Sequence, residues 1–338
     1  MLGLQLWGAF LLCAAVICIS GARLSQAADV IAEKTKLGRG WAGLILLAIV
    51  TSLPELVTGI SAVGFLQAPD LAVGDALGSC VFNLSILIML DLFHPEKSIY
   101  VRAGKAHLIS AGFGIVLLAL VAQAALAANS LINFPVYHIG ASSLIIAAIY
   151  MLAVRSVFKY ERRQFAYYIS DMACQYEHIS LIKARIQYIG AALAVVLAGI
   201  ALVLISGKLV VFHGLHQSFF GTFFLAAATS LPEVVVTLSA LRIGALDMAI
   251  SNLLGSNLFD VLILAIDDAV YLPGPILTHV STGHVLTCAT AILMNGVFVI
   301  GLITQAKRRI AGKLTWVSLV LLWLYLANGL LAFQYKVH

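Results

Sequence analysis

The pentapeptide TSLPE occurs twice in this sequence, at residues 51–55 and again at residues 229–233. The segments that follow the two copies also match each other. In order, Asp70, Gly78, Ser79, Phe82 and Asn83 correspond to Asp247, Gly255, Ser256, Phe259 and Asp260. An internal repeat of this kind predicts a fold built from two related halves.

Both copies lie in a chain that is too apolar to be a soluble domain. Hydrophobic residues make up 62% and charged residues 10% of the sequence, and the mean hydropathy is +1.04. A membrane-spanning helix needs about 20 apolar residues. The sequence therefore predicts an all-α polytopic membrane protein with ten transmembrane helices, at residues 5–22, 41–66, 71–92, 107–128, 132–154, 187–206, 217–241, 247–267, 280–304 and 314–334.

Five of these segments fall in each half of the chain. An odd number of spans makes the second half enter the membrane in the opposite direction, as in many secondary transporters. We therefore expect two inverted five-helix repeats, at residues 1–155 and 187–338, joined by a polar cytoplasmic linker at residues 156–186.

The basic residues predict how the chain is oriented in the membrane. If the N-terminus is outside, every Lys and Arg of the 20 except Lys208 and Lys336 falls in an inward loop. This distribution obeys the positive-inside rule and places both termini on the outer face. The compact length without a regulatory insert favours a bacterial plasma (inner) membrane.

Acidic residues within the predicted spans are concentrated in the repeated segments. Each costs about 2.5–3.5 kcal/mol in a membrane helix, yet the repeats carry Glu55, Asp75, Glu233 and Asp260. The proline of each pentapeptide removes a backbone donor from the middle of an apolar helix. Broken backbone at membrane depth is tolerated where it lines a cavity inside the protein, so we expect a ligand there.

Oxygen-bearing side chains cluster around both predicted breaks. Thr51, Ser52 and Glu55 share one helical face, and the second pentapeptide repeats this arrangement. On the following helices Ser79 lies four residues before Asn83, and Ser256 lies four residues before Asp260, so each pair shares a stripe. Oxygen ligands suit calcium or sodium rather than zinc or copper, and protons are the rival occupant.

These motifs resemble the two alpha repeats of the sodium/calcium exchanger branch of the cation/calcium exchanger superfamily, here at residues 48–92 and 226–267. The resemblance implies a secondary transporter that exchanges calcium for sodium by alternating access, with no enzymatic activity and no cofactor. It also implies that the ions are bound by Thr51, Ser52, Glu55, Ser79, Asn83, Thr229, Ser230, Glu233, Ser256 and Asp260, with backbone carbonyls of Ala48 and Ala226 offered to sodium.

The sequence departs from the family pattern at four positions. Val50 and Ala228 replace the glycine before each threonine, Asp75 replaces an asparagine, and Cys80 replaces another. Asp75 adds a fourth carboxylate, which either alters sodium coupling or binds a proton.

Several other readings stay open at the level of sequence. The nearest alternative is a calcium/proton or potassium-dependent antiporter, followed by a passive cation channel and a membrane-embedded hydrolase. The expected partners are the transported ions and the lipid bilayer, with neither nucleic acid nor an obligate protein partner. The other acidic residues of these helices are interpreted as N-caps (Asp70, Asp247) or as interfacial groups at helix ends (Asp91, Asp267, Asp268).

Overall fold

The computed structural model describes residues 2–94, 98–127, 134–168, 176, 178–213, 227–310 and 314–334. Within these ranges the chain is helical apart from two short hairpins, which confirms the predicted all-α class. The helices are α1 (Leu2–Thr35), α2 (Arg39–Trp41), α3 (Ala48–Thr51), α4 (Leu53–Gly64), α5 (Pro69–Phe93), α6 (Ile99–Arg102), α7 (Ala106–Leu126), α8 (Ala141–Tyr168), α9 (Leu181–Phe212), α10 (Leu231–Arg242), α11 (Leu246–Val270), α12 (His284–Ile303) and α13 (Trp316–Gln334).

Three kinds of short element connect these helices. A π-helix (Ala42–Leu47) lies between α2 and α3, and a 3₁₀-helix (Ile276–Thr278) precedes α12. Two antiparallel hairpins pair β1 (Pro135–Val136) with β2 (Ile139–Gly140), and β3 (Arg309–Ile310) with β4 (Leu314–Thr315).

Seven of the described helices are long and apolar enough to cross a membrane, namely α1, α5, α7, α8, α9, α11 and α12. The segment at residues 39–51 and α4 pass the same test together as a pair bent by 44°, either a broken span or a re-entrant loop, so the described residues contain seven or eight candidate spans; α13 contains a shorter apolar helix. The chain is thus a multi-pass membrane protein. The count of ten spans stays a prediction, and the seventh predicted segment, residues 217–241, begins outside the described residues.

The local sequence explains where two of the helices begin. Pro69 occupies the first position of α5, where its missing N–H would have no partner in the helix anyway. Ser180 precedes α9, and its hydroxyl accepts a hydrogen bond from the Lys183 N–H.

The chain forms two compact units. The first consists of Met1–Pro54 and Lys159–Asn252, and the second of Glu55–Phe158 and Leu253–His338. Each unit draws residues from both halves of the sequence. The boundaries of the inverted repeats therefore stay a prediction.

In the first unit, α1 packs along α9 and against α10. Ile17, Leu202 and Ala228 form a buried apolar cluster there. Gly21 of α1 permits the close approach to α10, since a Cβ at this position would lie 2.8 Å from a methyl group of Val235. Small residues allow helix backbones to approach closely in this way in membrane proteins.

Near the end of α1, a buried carboxylate anchors part of the predicted linker. Asp29 accepts two hydrogen bonds from Arg39, from Nε at 2.7 Å and from Nη2 at 2.9 Å, and a third from the Tyr176 hydroxyl at 3.0 Å. Burial raises the pKa of Tyr176 to about 12, so the hydroxyl keeps its hydrogen at neutral pH. The Tyr176 N–H also donates to Glu33, which fixes this linker residue from two sides.

In the second unit, α12 packs against α7, α5 and α13. The rings of Tyr100 and Phe298 meet edge to face with centroids 6.0 Å apart, and the Tyr100 hydroxyl lies 3.2 Å from the Ser318 hydroxyl.

The three aspartates predicted to be interfacial lie near helix ends and are fully buried. Asp91 accepts hydrogen bonds from the Thr315 N–H and from the hydroxyls of Thr315 and Ser318. Asp268 accepts from the Gly140 and Ile276 N–H groups and from the Ser143 hydroxyl. The sequence did not predict this burial, because these helix ends are covered by the hairpins and the 3₁₀-helix, whose donors replace water. For the third residue, Asp267, the described part of the chain supplies no hydrogen-bond donor. The interfacial position of the three aspartates stays a prediction.

Helix α9 passes close to the proline of each pentapeptide. A Cβ at Gly199 would lie 2.7 Å from Cγ of Pro54 and 3.6 Å from Cγ of Pro232. Both prolines belong to the first unit. The absence of a side chain at this one position of α9 therefore allows the helix to pack against both of them.

We expect Gly199→Ala to lower the free energy of unfolding by about 1–3 kcal/mol, and with it the melting temperature, because the added methyl group overlaps a rigid proline ring. Gly207→Ala on the same helix is the matched control, since a Cβ there meets no atom within 4 Å. Unfolding followed by intrinsic fluorescence in detergent measures the difference. Equal melting temperatures for the two variants would show that the Pro54 contact does not constrain α9.

Candidate functional site

The first pentapeptide contains a break between two helices. Helix α3 ends at Thr51, α4 begins at Leu53, and the two helical segments differ in direction by 44°. Ser52, between them, has φ −89° and ψ 7°. Ser230 occupies the same place before α10, with φ −88° and ψ 11°. The repeated sequence thus adopts the same local backbone twice, as expected from a proline two residues later.

A π-helix (Ala42–Leu47), which was not predicted, precedes the first break. Such turns widen the helix by one residue and are frequent at functional sites. Gly43 lies within it, and a Cβ at Gly43 would overlap the backbone of Met248. Only glycine therefore allows this segment to approach the start of α11.

A direct contact joins the two pentapeptides within the first unit. The Ser52 hydroxyl donates to Glu233 Oε1 over 3.3 Å. Five of the predicted ion-binding side chains are buried in this unit, namely Thr51, Ser52, Thr229, Ser230 and Glu233. A hydroxyl from the first repeat and a carboxylate from the second are thereby brought together.

The Ala48 carbonyl, a predicted sodium ligand, accepts two local hydrogen bonds. One comes from the Thr51 hydroxyl at 3.2 Å and the other from the Ser52 N–H at 3.1 Å. Its counterpart in the second repeat, Ala226, lies outside the described residues. The roles of both carbonyls stay predictions.

In the second unit, the remaining predicted ligands are also buried. They are Glu55 on α4, Ser79 and Asn83 on α5, and Ser256 and Asp260 on α11. The Asn83 amide donates to Asp260 Oδ2 over 3.4 Å. Within the described residues, Asn83 Oδ1 accepts no hydrogen bond. A buried amide oxygen of this kind is a suitable ligand for a hard cation.

Helices α5 and α11 meet through residues that correspond in the internal repeat. Asn83 contacts Asp260, and one turn earlier the Asn257 amide donates to the Cys80 carbonyl over 3.1 Å. The Cys80 thiol in turn lies 3.7 Å from the Asn257 carbonyl. In both cases a residue touches its own counterpart 177 positions later, the pattern produced by a local twofold axis.

The predicted ion ligands are oxygen atoms, and among the described residues their acidic side chains do not form a cluster. Among the residues that the structure describes, no group of three or more His, Cys, Asp or Glu side chains is arranged to hold a metal ion. Carboxylate, amide and carbonyl oxygens, all of which occur among the predicted ligands, are the usual ligands of calcium.

Two polar contacts next to the predicted ligands were not anticipated. The Thr58 hydroxyl lies 2.9 Å from Asp75 Oδ2, and the Asn252 amide donates to the Thr237 hydroxyl over 3.0 Å. In both repeats, a threonine on the helix after the break contacts the next helix. The sequence marked Asp75 as unusual but carried no signal for the threonines.

The interpretation of Asp70 as an N-cap was wrong. The N-cap of α5 is Ala68, and Asp70 lies in the first turn, where it accepts hydrogen bonds from the Ser281 N–H at 2.7 Å and from His284 Nε2 at 2.9 Å. Asp247 likewise lies in the first turn of α11.

A sequence model of the family described as sodium/calcium exchanger protein matches residues 5–160 and 184–334. This chain belongs to that family. The resemblance of the two motifs is thereby confirmed, and membership in a family of transporters supports the expectation that the chain is not an enzyme.

Individual relatives agree with this assignment. The inner membrane protein YrbG of Escherichia coli is 23% identical over 263 residues, which cover 77% of this chain and 78% of that protein. The human sodium/potassium/calcium exchanger 4 is 46% identical over 50 residues, only 15% of this chain and 8% of that protein.

The fold is also that of a solved family member. A structure of the sodium-calcium exchanger NCX_Mj, soaked with 10 mM Na⁺ and zero Ca²⁺, superposes with a TM-score of 0.71 at 19% identity, covering 96% of this chain and 98% of that one.

We expect Ser52→Ala to weaken calcium binding by roughly 10- to 100-fold, because a hydrogen bond to a charged group contributes about 1.5–3 kcal/mol. Ser61→Ala is the control, since the Ser61 hydroxyl donates only to the Val57 carbonyl of its own helix, over 2.6 Å. The readout is the calcium-dependent rise in melting temperature of purified protein. An equal rise in both variants would remove Ser52 from the ion site.

Proposed function

We propose that this chain is a secondary transporter that exchanges calcium for sodium by alternating access. The observation that carries the proposal is the buried hydrogen bond from Ser52 to Glu233, which joins the two duplicated helix breaks within an apolar unit. In a membrane, buried acidic and hydroxyl groups at broken helices favour an ion-binding role.

The transported ions are bound by residues of both repeats in this proposal. They are Ala48, Thr51, Ser52, Glu55, Ser79, Asn83, Ala226, Thr229, Ser230, Glu233, Ser256 and Asp260. Three of these side chains are carboxylates, which when ionised carry a formal charge of −3. One calcium ion or several sodium ions reduce that charge by different amounts. Competition between calcium and sodium for the same site is therefore a basis for exchange.

The inverted arrangement of the two halves is part of the proposal. It is supported by the odd number of predicted spans in each half and by the contacts of Cys80 with Asn257 and of Asn83 with Asp260. Two helices crossing at a twofold axis bring corresponding residues face to face. A binding site at the repeat interface is the common arrangement in such transporters.

Alternating access requires a part of the protein that moves. Helices α1 and α9 pack against each other, and their predicted spanning segments contain no Asp, Glu, Lys or Arg. Sliding of uncharged apolar surfaces needs no desolvation of charge. We assign the moving part to this helix pair.

The location and orientation are also proposals. YrbG is named as an inner membrane protein, and we extend that location to this chain with both termini on the outer face. The distribution of basic residues supports the orientation.

In proteoliposomes, we expect an imposed sodium gradient to drive calcium uptake, whereas a pH gradient alone does not. Potassium is added to one arm, because the 50-residue match is to a sodium/potassium/calcium exchanger. Uptake driven only by pH would identify a calcium/proton antiporter. Flux that needs no counter-ion would identify a channel.

We expect Glu55→Gln and Glu233→Gln each to reduce calcium exchange by roughly a hundredfold or more, since removing one member of a buried charged pair costs about 3–5 kcal/mol. Asp70→Asn is the control, a carboxylate that is partly exposed and lies outside the proposed ligand set. Isotope flux in proteoliposomes measures the rates. Normal exchange by either glutamine variant would exclude that glutamate from the ion site.

A further inference from the structure

The helical hydrogen bonds change register between α2 and α3. The Ala48 N–H donates to the Gly43 carbonyl, five residues earlier, as in a π-helix, whereas the Ser52 N–H donates to the Ala48 carbonyl, four residues earlier. Between these two bonds, the four carbonyls of residues 44–47 share three N–H groups, those of residues 49–51. One carbonyl of this turn therefore needs a donor from outside the helix.

A tyrosine of α9 supplies such a donor. The Tyr188 hydroxyl donates to the Leu46 carbonyl over 2.6 Å. The Tyr188 ring and the Leu46 side chain pack against a buried apolar cluster formed by Val30, Ile31 and Ala184. All of these residues belong to the first unit. The packing fixes the ring, so the hydroxyl is held at the turn that has a surplus carbonyl.

The chain is also held on the N-terminal side of this turn. Arg39 donates two hydrogen bonds to the buried carboxylate of Asp29, from Nε at 2.7 Å and from Nη2 at 2.9 Å. Gly43 rests against the backbone of Met248, where a Cβ would overlap the carbonyl oxygen. A change of register within the turn is therefore passed on to residues 48–52 and not back to α2.

Such a change would reorient the predicted ion ligands. If residues 42–47 formed an α-helix, each N–H would donate four residues back and no carbonyl would be left over. The residues that follow would then turn by about 100° about the helix axis, the rotation per residue of an α-helix. Thr51 and Ser52 lie on this segment, and the Ser52 hydroxyl would lose its contact with Glu233 Oε1 at 3.3 Å. The contact between the two pentapeptides therefore depends on the π-helical register.

We propose that Tyr188 is a positioning residue of the ion site. Its hydroxyl holds residues 42–47 in the π-helical register and thereby orients Thr51 and Ser52, without contacting an ion itself. This role rests on the proposed function, since Thr51 and Ser52 are ligands of the same site. Because α9 belongs to the helix pair assigned to movement, the hydrogen bond also joins that pair to the first break.

The variant Tyr188→Phe removes the hydroxyl and keeps the ring. We expect it to populate the π-helical register only in part, which raises the KM for calcium and for sodium in proteoliposome flux by roughly tenfold. The maximal rate is retained, because saturating ions select the competent register. A residue that only stabilised the fold would leave both KM values unchanged.

The matched control is Tyr176→Phe. It removes a hydroxyl that packs against the same apolar cluster but donates to Asp29, over 3.0 Å, and it leaves the two bonds from Arg39 in place. We expect its KM values to equal those of the wild type. Unchanged KM values in Tyr188→Phe, or an equal rise in both variants, overturn the proposal.

Hydrogen exchange measured by mass spectrometry tests the register without any transport. We expect the amides of residues 42–52 to exchange roughly tenfold faster in Tyr188→Phe than in Tyr176→Phe, because a turn with an unpaired carbonyl opens more often. Equal exchange in this segment overturns the proposal. If the wild-type protein transports neither ion, the exchange function fails, and this comparison still decides whether Tyr188 holds the π-helical register.

Discussion

Charge buried in an apolar environment is the constraint on which the rest of this structure depends. Lipid offers neither donors nor counter-ions, so each acidic group must obtain them from the protein or from a bound ion. Asp29, Asp91 and Asp268 obtain them from neighbouring N–H, hydroxyl and guanidinium groups. Glu233 accepts a hydrogen bond from Ser52 beside a duplicated helix break, whereas Asp267 has no donor among the described residues.

Duplication solves the problem of surrounding an ion with few residues. One TSLPE segment supplies two hydroxyls, a carboxylate and a distorted backbone, and the second copy supplies the same set with nearly identical dihedral angles at Ser52 and Ser230. The hydrogen bond from Ser52 to Glu233 links the two sets. On the following helices the copies have diverged, since Asn83 corresponds to Asp260, and this difference gives the ligand set an odd number of carboxylates.

Much of the fold and of the candidate site could be predicted from the sequence, because these features depend on local sequence patterns or on composition. Apolar length predicts the helices, proline predicts the breaks, and the repeat predicts which polar residues belong together. The π-helix before the first break could not be predicted, because it depends on the approach of Gly43 to another helix. The burial of Asp267 and Asp268 was also missed, since a helix end looks solvent-exposed unless the covering hairpin and 3₁₀-helix are known. Likewise, Asp70 was assigned to a cap because its partners, Ser281 and His284, are more than two hundred residues away.

The position of Gly199 has a mechanical consequence. Because one α-carbon of α9 rests against the prolines of both pentapeptides, a displacement of that helix at this level alters the clearance at both breaks in a single step. The two pentapeptides are far apart in sequence but contact the same residue of α9, so one displacement of this helix affects the packing of both. A single glycine thus couples the packing of the two helix breaks.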